Sequence, residues 1–79
     1  MNITILYFGQ LAELAGKPEE VRTLTSDSLE TLYADLSKAY GFKHAFHQVQ
    51  VAVNHELSAH DTALKDRDLI TFLPPMSGG

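Results

Sequence analysis

The 79-residue sequence contains no cysteine. Without thiols the chain has no disulfide framework, no thiolate zinc site and no cysteine nucleophile. The sequence also lacks a basic amino-terminal segment followed by a long apolar run, and no apolar stretch approaches the length of a membrane span. We therefore expect a cytoplasmic protein.

Basic residues are few and scattered. The chain has six Lys and Arg against ten Asp and Glu, which gives a formal net charge of −4. Proteins that bind nucleic acid gather Lys and Arg on one face, so we expect neither nucleic acid nor a membrane as partner. A phosphate-binding Gly-x-x-x-x-Gly-Lys and a Gly-x-Ser-x-Gly nucleophile motif are both missing. These absences predict a protein that is not an enzyme on its own.

The four histidines are the remaining candidates for metal ligands. His44 and His47 are three residues apart and could share a helical face, while His55 and His60 lie in a polar region. Since cysteine and a supporting carboxylate pattern are lacking, surface histidines are the better interpretation. We predict no metal site.

Hydrophobic periodicity predicts a strand, a short helix, a strand, a long helix and three further strands. The strands are predicted at 2–8, 20–25, 49–53, 56–57 and 68–73, and the short helix at 10–15. The first strand is apolar on both faces, which favours a central strand that is covered on both sides.

The long helix is the clearest element. Asp27 is predicted to cap it, with Glu30 completing a capping box, and Gly41 to end it. Its apolar stripe consists of Leu29, Leu32, Tyr33, Leu36 and Tyr40. One such helix covers one face of a sheet, so we predict a single α+β domain over 1–79. The element order resembles the β-grasp or ubiquitin-like fold, a mixed sheet of four to five strands with one main helix.

The sequence ends in Pro74-Pro75-Met76-Ser77-Gly78-Gly79. Two prolines fix φ and remove hydrogen-bond donors, and two glycines without Cβ atoms fit a narrow channel. Fully extended, these six residues span about 20 Å. We predict a projecting tail over 74–79 whose reactive group is the main-chain carboxylate of Gly79. A frayed terminus, the alternative, requires neither the prolines nor the glycines.

Three segments carry a family resemblance: Leu6-Tyr7-Phe8-Gly9-Gln10-Leu11-Ala12-Glu13-Leu14-Ala15-Gly16, Val51-Ala52-Val53-Asn54-His55-Glu56 and Phe72-Leu73-Pro74-Pro75-Met76-Ser77-Gly78-Gly79. Together they resemble the small, sulfur-carrying subunit of molybdopterin synthase, MoaD-type, of the MoaD/ThiS sulfur-carrier family. The resemblance covers essentially the whole chain. It departs from the family at Arg67, where Gly is usual, so we expect Arg67 to need a positive φ.

The resemblance implies a carrier that binds no cofactor itself. An ATP-using, MoeB-like adenylyltransferase would adenylate Gly79, and a sulfur donor system would convert it to a thiocarboxylate. The tail would then deliver sulfur to a cyclic pterin precursor inside the large synthase subunit, in a heterotetramer. Gly78 would be the slim neighbour of Gly79. The partner-binding residues would be Leu73, Pro75, Met76 and Ser77.

Two other functions stay open. The Gly-Gly end also fits the sulfur carrier of thiamine thiazole synthesis or a ubiquitin-like protein modifier. A third possibility is a β-grasp interaction domain with an inert tail. Identification of the cognate partner separates them.

Overall fold

The computed structural model describes residues 1–75. Their elements, in chain order, are β1 (Asn2–Tyr7), α1 (Gly9–Ala15), β2 (Glu19–Thr23), α2 (Leu29–Tyr40), a 3-10 turn (Phe46–Gln48), β3 (Gln50–Val53), β4 (Glu56–Ser58) and β5 (Leu69–Leu73). Each predicted helix and strand is present. The ends differ from the prediction by one or two residues, because β1 stops before Phe8 and β2 stops at Thr23.

The five strands form one sheet in the order β2-β1-β5-β3-β4. β1 and β5 are parallel neighbours, and the other three pairs are antiparallel. This mixed sheet, with α2 packed on one face, confirms the predicted α+β β-grasp fold.

Side chains that alternate along β1 and β5 build the core. Ile3, Ile5, Tyr7, Ile70 and Phe72 are at most 3% exposed. The rest of the core cluster comes from α2, α1, β3 and two loop positions: Leu29, Leu32, Tyr33, Leu36, Leu11, Ala15, Val51, Val49 and Leu64. Each large apolar side chain buried here contributes about 1.5–3 kcal/mol.

The other face of β1 is not covered as predicted. Thr4 and Leu6, which alternate with the core residues, are only half-buried. Both helices pack into the core on the inner face, so within residues 1–75 no second layer covers these side chains. Burial in a core on this face therefore does not explain why residue 6 is apolar.

The cap of α2 is Ser28 and not Asp27. The Ser28 hydroxyl accepts a hydrogen bond from the Thr31 backbone N–H at 3.2 Å. Asp27 instead offers its backbone carbonyl to the N–H of Leu64, at 2.9 Å. A capping side-chain oxygen must reach a backbone N–H two or three residues ahead. Because the Asp27 carbonyl is held by the Leu64 N–H, Ser28 is the residue placed to do so. Gly41 ends the helix at φ 74°, as predicted.

A carboxylate network joins β1, β2 and the end of α2. Glu20 Oε1 accepts hydrogen bonds from the hydroxyls of Tyr7 and Tyr40, both at 2.6 Å. Its Oε2 accepts from Arg22 Nε at 3.3 Å, and the Glu20 side chain is 14% exposed. Burial by itself raises the pKa of Glu20, but the two tyrosine hydroxyls and Arg22 outweigh it and hold the pKa below its ordinary value. Burial and the Glu20 carboxylate raise the pKa of Tyr7.

We expect Glu20→Gln to lower the free energy of unfolding at pH 7 by about 1–3 kcal/mol, because the amide replaces a charged acceptor. A folded-state pKa below the unfolded value of about 4.3 gives stability that is present above that value and lost as pH falls through the folded-state pKa. The loss should therefore shrink at pH 3. Urea titrations at both pH values measure it. Glu19→Gln, at an exposed neighbour, is the control, and equal losses in the two variants would contradict the network.

The segment before β5 is held by side-chain hydrogen bonds. Asp68, which is buried, accepts from Asn54 Nδ2 at 2.9 Å and from the Lys65 backbone N–H at 2.8 Å. Asn54 Oδ1 in turn accepts from the Leu69 N–H at 3.0 Å. Between Lys65 and Asp68 the chain places Arg67 at φ 70°, which confirms the expected positive φ.

Arg67→Gly should raise the free energy of unfolding by about 0.5–1 kcal/mol, because glycine adopts the left-handed region without a Cβ penalty. Little is lost with the side chain, which is 92% exposed and reaches only Asp66, at 4.0 Å. Thermal melting checks this. Arg67→Ala removes the same side chain and keeps the Cβ, so it should show no gain; equal gains would assign the effect to the charge.

Candidate functional site

Strand β5 ends where the predicted tail begins. Leu73 is its last residue and pairs with Gln50 of β3. Pro74 and Pro75 follow; without N–H groups they cannot extend the ladder. Leu73 and Pro74 are half-buried and Pro75 is exposed. The other predicted site residues, Met76, Ser77, Gly78 and Gly79, lie outside the described residues, and their roles remain predictions.

Leu73 belongs to the sheet face that points away from α2, here called the outer face. Directly paired residues point to the same side of a sheet, so the strand registers define this face. It consists of Asn2, Thr4, Leu6, Glu19, Val21, Thr23, Gln50, Ala52, Leu57, Leu69, Thr71 and Leu73. Glu19 is its only charged residue.

The outer face exposes large apolar side chains at the two edges of the sheet. Val21 and Leu57, on the two edge strands, are 68% and 67% exposed. Leu6 lies half-buried nearer the centre, where Thr71 and Ala52 are packed closely enough to be 8% exposed each. With one charged side chain and two exposed large apolar ones, the outer face is a candidate binding surface. It is continuous with the exit of the tail at Leu73.

Phe8 adds an exposed aromatic ring near the same exit. Tyr7 pairs with Phe72 in the parallel ladder, so Phe8 and Leu73 follow paired residues at the same end of neighbouring strands. Phe8 is extended, at φ −127°, and 52% exposed; Gly9 then turns the chain at φ 53°.

Sequence reasoning did not select Phe8, Val21 or Leu57. Val21 could have been found from the sequence, because it is an apolar residue at a strand position that points away from the core.

The histidine pair considered as metal ligands does not form. His44 and His47 do not share a helical face, because the 3-10 turn starts only at Phe46. They also line different cavities, of about 470 and 500 Å³. Within residues 1–75 no group of three or more His, Cys, Asp or Glu side chains is arranged to hold a metal ion. In the same range, the helices are too short or too polar to cross a membrane.

Family comparison agrees with the residues that suggested a sulfur carrier. The model of the ThiS family matches residues 5–79. The chain belongs to the ThiS family. The match begins within β1 and runs through the Gly-Gly end, so it includes both the fold and the predicted tail.

Three relatives of this ThiS family member are similar over almost the whole chain. The molybdopterin synthase sulfur carrier subunit of Mycobacterium tuberculosis is 29% identical and aligns with all of this chain and 99% of its own. A complex of subunits 1 and 2 of the molybdopterin-converting factor from Helicobacter pylori contains a chain that is 29% identical, with full coverage of both chains and a TM-score of 0.69. Small archaeal modifier protein 1 of Methanosarcina acetivorans is 25% identical over 99% of this chain and 96% of its own, with a TM-score of 0.76.

Proposed function

We propose that this chain is a cytoplasmic sulfur carrier of the molybdopterin synthase type. One observation carries the proposal: β5 ends at Leu73 in two prolines, and the strand residues of the outer face carry a single charged side chain, Glu19. A partner that binds the outer face receives the tail in a fixed direction. The similarity to the mycobacterial sulfur carrier subunit supports the choice of pathway.

The chemistry requires an activated tail. A terminal carboxylate is ionised at neutral pH and resists an anionic sulfur nucleophile. In the proposed first step the Gly79 carboxylate attacks the α-phosphate of ATP, which gives an acyl-adenylate and pyrophosphate. A sulfur donor then displaces AMP to leave a thiocarboxylate. Both steps take place on an adenylyltransferase partner, which also supplies the ATP site.

The thiocarboxylate then transfers its sulfur to a cyclic pterin precursor within a large synthase subunit. The Helicobacter pylori neighbour, a complex of subunits 1 and 2, supports a two-subunit assembly. This chain supplies reach, a slim end and a binding face. It is not an enzyme on its own, because no step uses one of its side chains as acid, base or nucleophile.

A protein-modifier function is the second candidate, and the similarity to small archaeal modifier protein 1 favours it. The two functions share the acyl-adenylate and differ in the final acceptor. A modifier forms an amide with a lysine of another protein, whereas a carrier releases its sulfur and regains its carboxylate. Intact-mass analysis of the protein from its own host separates them: exchange of one oxygen for one sulfur indicates the carrier, and mass gained from a linked protein indicates the modifier.

Leu73→Asp should weaken binding to the large subunit at least about tenfold, because it places a charge in an apolar part of the interface. The fold should remain, since Leu73 lies opposite the core face of β5. Calorimetric titration measures the affinity. Ala39→Asp adds the same charge at an exposed position of α2 and should bind like wild type. Equal affinity of the Leu73 variant and wild type would remove the outer face from the interface.

Deletion of Gly79 should abolish activation. It moves the carboxylate back by about 3.5 Å, and a misplacement of ~1 Å already costs about a hundredfold in rate. Gly78→Val should fail as well, because a β-branched side chain widens the tail. The measurement is acyl-adenylate and thiocarboxylate formation with the activating enzyme, ATP and a sulfur source, with thermal melting as the control for folding. A deletion variant that gains sulfur at the wild-type rate would leave the inert interaction domain as the better interpretation.

A further inference from the structure

Three residues of β2 direct their backbone N–H and C=O groups away from β1. Among residues 1–75, β2 is an edge strand of the sheet and pairs with β1 alone. The Leu24 N–H donates to Met1, and the Pro18 carbonyl accepts from Tyr7, so even-numbered residues of this segment direct their backbone groups toward β1. By alternation, Glu19, Val21 and Thr23 direct theirs outward.

The side chains of β2 are complementary to a second copy of the same strand. In an antiparallel pair centred on Val21, Val21 lies opposite Val21, Glu19 opposite Thr23 and Glu20 opposite Arg22. The outward backbone groups of Glu19, Val21 and Thr23 then form the hydrogen-bonded pairs. The two Glu20–Arg22 pairs fall at the non-hydrogen-bonded positions, where opposing side chains are closest.

The charges select this register. Moving the centre by one residue toward the N-terminus places Glu20 opposite Glu20, and moving it the other way places Arg22 opposite Arg22. Like charges directly opposite each other are unfavourable. In the register centred on Val21, the bond from Arg22 Nε to Glu20 Oε2 within each chain, at 3.3 Å, and the pairs between chains form a ring of four alternating charges.

We propose that two copies of this chain associate through antiparallel pairing of β2, centred on Val21, into one continuous ten-stranded sheet. The exposed Val21 side chains meet at the two-fold axis on the outer face. With neighbouring strands about 4.8 Å apart, the two β5 strands lie about 24 Å from each other and point in opposite directions. The edge contact leaves Leu73 and Pro75 uncovered, so the assembly is compatible with the sulfur-carrier function.

Disulfide trapping tests the register. The chain has no cysteine, so Val21→Cys introduces a single thiol. Cα atoms of a hydrogen-bonded antiparallel pair are about 5.5 Å apart, within the range that a disulfide spans. In a glutathione buffer we expect this variant to form covalent dimers at least about tenfold faster than Leu57→Cys, whose site on the opposite edge is equally exposed. Equal rates would overturn the proposal.

Val21→Pro tests the hydrogen bonds independently. Proline removes the outward N–H and leaves the bonds to β1 in place, since edge strands tolerate it. In sedimentation up to millimolar concentration, wild type and Val21→Thr should self-associate and Val21→Pro should remain monomeric, with thermal melting as the folding control. A monomeric wild type, or a folded proline variant that associates like wild type, would overturn the proposal.

Discussion

The parallel pairing of β1 with β5 is the constraint on which the rest of the structure depends. It joins residues 4–7 to residues 69–72, so nearly the whole chain lies between its two partners. Bringing such distant segments together costs loop-closure entropy, and the buried contacts of Ile5, Ile70 and Phe72 repay it. Because the two strands run in the same direction, the tail leaves the sheet at the end where β1 leads into Phe8. The exposed ring and the exit are neighbours for this reason.

The helices pack on one face of the sheet only, so the two faces differ in composition and in burial. The inner face holds the core and the helices, and the Glu20 network closes its β2 edge. The outer face has no structural partner among residues 1–75, yet it carries Leu6, Val21, Leu57 and Leu73. These apolar side chains lie outside the core, and for that reason the outer face is the candidate binding surface.

Local rules were sufficient for much of the fold. The stripe of α2 and its stop at Gly41 follow from helical spacing and from the left-handed conformation that glycine adopts. The positive φ of Arg67 followed from a position where the family has glycine. The Asp27 cap failed because Asp27 and Ser28 are both good capping residues, and the choice between them depends on Leu64, far along the chain.

The Glu20 network and the outer face could not be predicted, because both depend on how the strands pair in the sheet. Glu20 meets Tyr7 and Tyr40 only after β2 pairs with β1 and α2 packs on the sheet. The outer face likewise requires the order of five strands. For the predicted tail, the described structure gives its starting point at Leu73 and Pro74, and the chemistry beyond that point depends on sequence and family alone.

The position of β5 between β1 and β3 also determines how the domain bears a pull on its tail. Force along the strand axis acts on the hydrogen bonds to both neighbours in shear, so that several bonds must break together. An edge strand pulled outward would instead lose its bonds one at a time. Pulling the domain apart at Leu73 therefore requires more force than pulling at an edge strand.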